Sequence, residues 1–375
     1  MIISFEDMIK NDNDTITYVK AVGIMLMVLA HCSNFLYVYY TVYMFHMPLF
    51  FLVSGYCFKE KYYSCPHTFV WKRIKGLWWP FVKWSLLFLF LHNTLHEINI
   101  YSDNYGYLGN GVHKYSQSEI IGHSKSIIFL MEGSDGMVGG FWFLKSLFFG
   151  SLFAFFLLLF LNRIAVYFGY GKKSVTAVAG GGIFLVCCLV LNIVHDTLTV
   201  LHISPNIFLA ATFFCIGHFL AICKVKTFNI SQSIITFIIM SLVAPYFIIE
   251  IGNPFYETER IVPYMIMAVA GTWCVFSLPW GEMNRTLLSF MRYVGQHTMA
   301  ILTWHFLSFK IVSLLVIAVY GIDGERLAEF PVIHEYTNRG WFVLYLIVGI
   351  SVPLAIDYLL RSIKNVVAKT LCITH

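Results

Sequence analysis

The stretch YVKAVGIMLMVLAHCSNF, Tyr18–Phe35, decides how this chain is read. It is apolar enough to cross a bilayer, yet it carries Lys20 near one end and His31 further along. Eleven residues at about 100° each return to within about 20° of the starting direction. Both side chains therefore lie on one face of a helix, about 16 Å apart along its axis. Lys20 is expected near the membrane boundary and His31 at mid-depth.

The rest of the composition agrees with a membrane span. The chain has 375 residues, 58% hydrophobic and 12% charged, with a mean hydropathy of +0.72. Soluble domains carry about 25% charged residues. Here there is too little charge for a soluble surface and too much apolar length for one core. The fold class expected is all-α, a polytopic integral membrane helical bundle. The 35 Phe, 22 Tyr and 9 Trp suit lipid contact and the interface. The acidic start MIISFEDMIKNDNDT lacks the basic region and cleavage site of a secretory signal. The nine cysteines, among them Cys187, Cys188 and Cys215 in apolar runs, read as small fillers without a disulfide framework. No metal site and no nucleic-acid partner are expected from the modest net charge of +5 and the residue spacings.

Ten stretches are long enough to span, at about 20 residues each. They fall near 16–40, 42–58, 77–97, 140–161, 175–195, 204–222, 229–250, 260–280, 298–320 and 340–361. Pro48 marks the second as kinked or broken. No internal repeat or appended soluble domain is visible. The chain reads as a single membrane domain over 1–375, with a short segment 1–15 and a long loop over 98–139.

Orientation follows from the loop cations. One set of connections holds Lys10; Lys59, Lys61, Lys72, Arg73 and Lys75; Arg163, Lys172 and Lys173; Lys224 and Lys226; Arg285 and Arg292; and Arg361, Lys364 and Lys369. The alternate set holds only Lys114, Lys125, Arg260, Arg326 and Arg339. The rich side is the cytoplasmic one, so both termini are expected there, in a cell inner (plasma) membrane. The 98–139 segment and FPVIHEYTNRG, 330–340, then lie outside.

Ionisable groups inside a membrane are costly and mark function. Glu97, Glu250, Asp357, His92 and His96 lie near span ends, where snorkelling or interface water suffices, and Lys83 snorkels inward. Lys20, His31, His46, Lys145, His305 and Lys310 are not so easily dismissed. YMFHMPLFFLVSGYCF places His46 before Pro48 and the pair Ser54-Gly55 near the inner end. TFVWKRIKGLWWP brings Lys72, Arg73 and Lys75 just before the third span. GGFWFLKSLFFGSLF follows the long outer segment, and TMAILTWHFLSF sets His305 in the ninth span.

In this order, the set resembles the membrane acyltransferase-3 family, which includes O-antigen, exopolysaccharide and fucose O-acetylases. The carrying residues are Lys20 to His31, Phe50-Phe51-Leu52-Val53-Ser54-Gly55-Tyr56, Arg73 to Pro80, Trp142-Phe143-Leu144 and Trp304-His305. The wording FHMPLFF and FWFLKSLF is closest to the fucose-O-acetylase-like branch. The resemblance covers about residues 16–360. Two features depart from the family pattern. Lys20 stands where arginine is common, so a phosphate contact there is a point charge and not a fork. The basic loop has a single arginine, Arg73.

The resemblance implies an acyl-CoA donor, usually acetyl-CoA, and a hydroxyl acceptor on a cell-surface glycan or its lipid-linked precursor. Lys20, Arg73 and Lys75 are the expected phosphate contacts. His31 is the expected general base, or the group that carries the acyl across. Ser54, Trp142 and Trp304 are candidate oxyanion donors, and His305 a second catalytic candidate. His46 and Lys145 are candidates for holding the acceptor. Cys32 points about 100° away from His31 and reads as packing. The competing class is a transporter or a lipid or glycan flippase, which buried ionisable groups also suit. Membrane lipids are partners under either reading. The acceptor's identity and the oligomeric state stay open, a homo-oligomer among the options.

Overall fold

The computed structural model describes residues 5–33, 36–133, 135–193, 204–247 and 258–373. Glu250 and the side chains of Cys187 and Cys188 lie outside the described residues. Helices dominate. α1 is Phe5–Cys32 and α2 is Leu36–Tyr56. α3, Pro66–Arg73, runs through a π-helical turn, Ile74–Trp78, into α4, Trp79–Glu97. Then come α5 (Gln117–Leu130), α6 (Trp142–Phe168), α7 (Lys172–Ile193), α8 (Asn206–Cys223), α9 (Ile230–Phe247) and α10 (Thr258–Phe276). α11 (Arg285–Gln296), α12 (Thr298–Tyr320) and α13 (Phe342–Ile373) complete the bundle. Among the described residues, each expected apolar stretch overlaps a helix, the first of them spanning the break between α1 and α2. Among the described residues, seven helical segments are long and apolar enough to cross a membrane.

The first boundary differs from the expectation. α1 stops at Cys32 instead of running to 40, so His31 lies in its last turn and not midway. Ser33 and Asn34 are residue types that hydrogen-bond locally and tend to end helices. α2 begins at Leu36 and continues unbroken past Pro48.

The 98–139 segment is also more ordered than a loop. It holds a small hairpin of β1 (Gly106–Tyr107) and β2 (Asn110–Gly111), then α5. Ser116 caps α5, its hydroxyl accepting from the Glu119 amide while Glu119 reaches back to the Ser116 amide. Those same contacts, with His113 nearby, pull the Glu119 carboxyl down to about 2. His92 is fully buried, unlike a span-end residue resting in interface water. Its Nδ1 lies 2.9 Å from Asp135 and its Nε2 3.0 Å from the His113 carbonyl. Tyr115 stacks on it at 3.8 Å. Asp135 also accepts from Tyr101 and, at 2.9 Å, from the Met137 amide, capping a 3₁₀ turn, Gly136–Phe141, ahead of α6.

α1 packs on α2, α11, α12 and α13, and α2 packs on α8 and α10. The α2–α8 crossing is close because both helices present glycine. A Cβ on Gly55 would lie 1.8 Å from the Phe214 carbonyl oxygen, and one on Gly217 2.0 Å from that of Leu52. Small residues at such crossings are how membrane helices approach one another. This crossing fixes Ser54, beside Gly55, against the α3 end.

Cys32, Cys215 and Cys274 are buried, as fillers would be, whereas Cys57 and Cys65 are exposed.

Candidate active site

A cavity of about 440 Å³ runs between α1, α2, α3, the π turn, α6 and α12. Its lining includes Lys20, Lys72 and Arg73, and no carboxylate. Lys72 and Gly76 are exposed, so this cation end reaches the surface. Arg73 closes α3, and its Nη2 donates to Ser54 Oγ at 2.8 Å. Its guanidinium lies over Phe69 at 4.6 Å and within 5.8 Å of Phe214. The aromatic faces hold the cation without neutralising it. Lys72 donates to the Tyr62 hydroxyl at 3.0 Å. Among the described residues, Lys20 has no hydrogen-bond or ion-pair partner. Cys57 lies within electrostatic range of both Lys20 and Arg73. Among the described residues, the lining of this mouth holds three cations and no carboxylate, which gives it a positive field.

Lys75, the third expected cation, is not in the lining. It is exposed, with its Nζ 5.1 Å from the Trp71 ring. The π turn over Ile74–Trp78 adds a residue to the turn and rephases the face. Lys72 stands in the cavity instead.

At the other end, three helices each bring a histidine to one level. His31 lies eleven residues beyond Lys20 on α1, about 16 Å along the axis. His305 lies seven residues beyond Thr298 of the lining, about 10 Å. His46 lies eight residues from Ser54, about 12 Å. The rings of His31 and His305 stack with centroids 5.5 Å apart. Phe306 meets His31 edge-on at 4.9 Å. His46 is near enough to act on His31 electrostatically.

The tautomers follow from the backbone. Nδ1 of His305 donates to the carbonyls of Ile301 at 3.0 Å and Leu302 at 3.1 Å. A carbonyl only accepts, so Nδ1 carries the proton and Nε2 the lone pair. That Nε2 is buried and has no hydrogen-bond partner among the described residues. His46 is held alike, its Nδ1 donating to Val42 at 2.8 Å.

The structure thus brings Lys20 and Arg73 together at one level, and His31, His305 and His46 together at another. Ser54 belongs with Arg73 and is not at the histidine level. Trp142 opens α6 with its ring edge-on to Phe143 at 6.4 Å, outside the cavity lining. Lys145 is 9% exposed and pairs with Glu132 at 2.8 Å. Sequence reasoning missed that partner and also Phe306. It missed Lys310 as a clamp too: its Nζ donates to the carbonyls of Leu327 at 2.8 Å and Glu329 at 2.7 Å. This ties down the loop whose Phe330 packs on Phe306 at 4.6 Å. A lysine in the middle of an apolar span, Lys310 in Thr298–Tyr320, was the available signal for the clamp.

A family model described as an acyltransferase domain matches residues 13–358. The chain has no significant match among curated proteins or solved structures. The matched region takes in the Lys20 and Arg73 mouth, all three histidines and every helix between them, and a match of that extent shows that the chain belongs to the acyltransferase-3 family of membrane proteins.

Proposed function

We propose that this acyltransferase is an O-acyltransferase, in the first instance an O-acetyltransferase, using acyl-CoA from the cytoplasm. The acceptor is a sugar hydroxyl on a cell-surface glycan or its lipid-linked precursor. One observation carries the reading: a cavity lined by three cations and, among the described residues, no carboxylate opens at Lys20, and about 16 Å further along the same helix His31 meets the buried His305 and His46. A donor with phosphates at one end and a thioester at the other, joined by a long thin arm, matches that layout. The sugar acceptor rests on the family resemblance alone.

In this reading Lys20, Lys72 and Arg73 hold the phosphates, with Arg73 aimed by Ser54. His31 takes the proton of the attacking hydroxyl as the new C–O bond forms and the C–S bond breaks. The thiolate leaves and recovers that proton from the imidazolium, giving free CoA. His305, its Nε2 unpartnered beside His31, shares the proton. A general base of this kind supplies about 10²–10⁴-fold. Cations on the surface side of the cavity and a membership in an acyltransferase family favour this over a transporter.

The test is transfer of label. Membrane vesicles containing the protein are given acetyl-CoA labelled in the acetyl group, and the glycan and lipid fractions are separated. Label in an alkali-labile ester on either fraction, absent without the protein, supports the reading. Transfer to amines only, or none, argues against it.

A further inference from the structure

The cavity stops one layer short of the histidines. Met27 stands one turn before His31 on α1, Leu302 three residues before His305 on α12, and Met47 directly after His46 on α2. These three and Phe143 line the cavity, while none of the histidines does. All four are nearly closed to solvent, with Met27 2%, Met47 7%, Leu302 5% and Phe143 6% exposed. Met27 lies seven residues from Lys20, about 10 Å along α1, so this apolar layer fills the last 6 Å or so to His31.

Its members differ in freedom. Phe143 is stacked on Phe51 at 5.1 Å and edged by Phe50 at 5.5 Å. Leu302 is backed by Gly140, where an added Cβ would lie 3.2 Å from its Cδ1. Both are walls. Methionine is unbranched with three rotatable bonds, and it fills and vacates irregular space more readily than any other apolar side chain.

We infer that Met27 and Met47 form a movable ceiling between the donor cavity and the histidine layer, and that the room they vacate sets the acyl length, admitting an acetyl-sized group and rejecting longer chains. The inference rests on the acyl-CoA reading of this cavity. The thioester displaces the methionine ends on its way to His31. The rigid walls then leave no space for further methylenes, and a misfit of that size in an apolar pocket costs about 10-fold or more in rate.

The test uses the full-length protein in detergent with acetyl-, butyryl- and hexanoyl-CoA supplied separately, free CoA being quantified by chromatography. The wild type should release CoA from butyryl-CoA at least about 10-fold more slowly than from acetyl-CoA. Met27→Ala and Met47→Ala should each narrow that ratio, and Met27→Leu, which keeps the volume, should preserve it. Equal rates from all three donors in the wild type, or a ratio unchanged in both alanine variants, overturns the ceiling while leaving acyl transfer standing. Release from no donor overturns the donor reading itself. If one alanine variant does not fold, the other variant and the wild-type ratio decide.

Discussion

His31 and His305 stack at 5.5 Å with their ring planes 29° apart, one from the last turn of α1 and the other from the first half of α12. In the proposed reading the two imidazoles serve one proton transfer, so their losses should not multiply. His31→Ala and His305→Ala should each lower transfer, and the double variant should be little worse than His31→Ala alone. Rates of CoA release from the four proteins measure the coupling. Strictly multiplicative losses would mean that the rings work separately.

The bond from Arg73 to Ser54 makes a second prediction. A phosphate contact far from the thioester contributes uniform binding, so Arg73→Ala should raise KM for acetyl-CoA more than it lowers kcat. Ser54→Ala should do the same more weakly, since it frees the guanidinium without removing it. Initial rates over a range of donor concentrations separate the two effects. A fall in kcat at unchanged KM would place Ser54 in the chemistry instead.

Lys72 and Lys75 are three residues apart, yet only Lys72 lines the cavity. Lys72→Ala should weaken donor binding several-fold, and Lys75→Ala should leave it close to the wild type. Displacement of a fluorescent CoA analogue reports both. The reverse order would mean that the π turn presents its other face to the donor.

That pair also shows where the sequence stops being informative. Hydropathy revealed the helices because each span has to be apolar along its whole length. The Lys20–His31 face was legible because both residues share one helix and its period. The π turn at Ile74–Trp78 shifts that period by a residue, so the choice between Lys72 and Lys75 was hidden. The end of α1 was hidden because the apolar run continues past Cys32 into α2 with only Ser33 and Asn34 between. The α5 capping box was visible at Ser116 and Glu119, inside a segment read as loop. The meetings of His31 with His305 and of His92 with Asp135 are tertiary, and no single helix's pattern contains them.

The His92–Asp135 pair, at 2.9 Å and almost fully buried, ties α4 to the turn that lies against His305. Removing one partner of a buried pair costs about 3–5 kcal/mol. Asp135→Ala should therefore lower the melting temperature of the detergent-solubilised protein well beyond the effect of an exposed substitution such as Asp103→Ala. Similar melting temperatures for the two variants would show that the pair contributes little.

Orientation is a separate expectation, drawn from the loop cations. A cysteine placed at Ser118, in the first turn of α5, should react in intact cells with a reagent that does not cross membranes. A cysteine at Lys61 should react only after permeabilisation. The opposite pattern would put the cation mouth outside and remove cytoplasmic acyl-CoA as the donor.

The most direct test of the central claim is CoA release from acetyl-CoA by His31→Ala and His31→Gln, with donor binding measured on the same preparations. His31 is assigned the proton, while the phosphate contacts lie about 16 Å away. Both variants should lose at least about 10²-fold in release and keep the wild-type affinity for acetyl-CoA. Glutamine keeps hydrogen bonding but cannot take a proton, so it should fare no better than alanine. A His31→Gln protein that turns over at the wild-type rate would contradict the account.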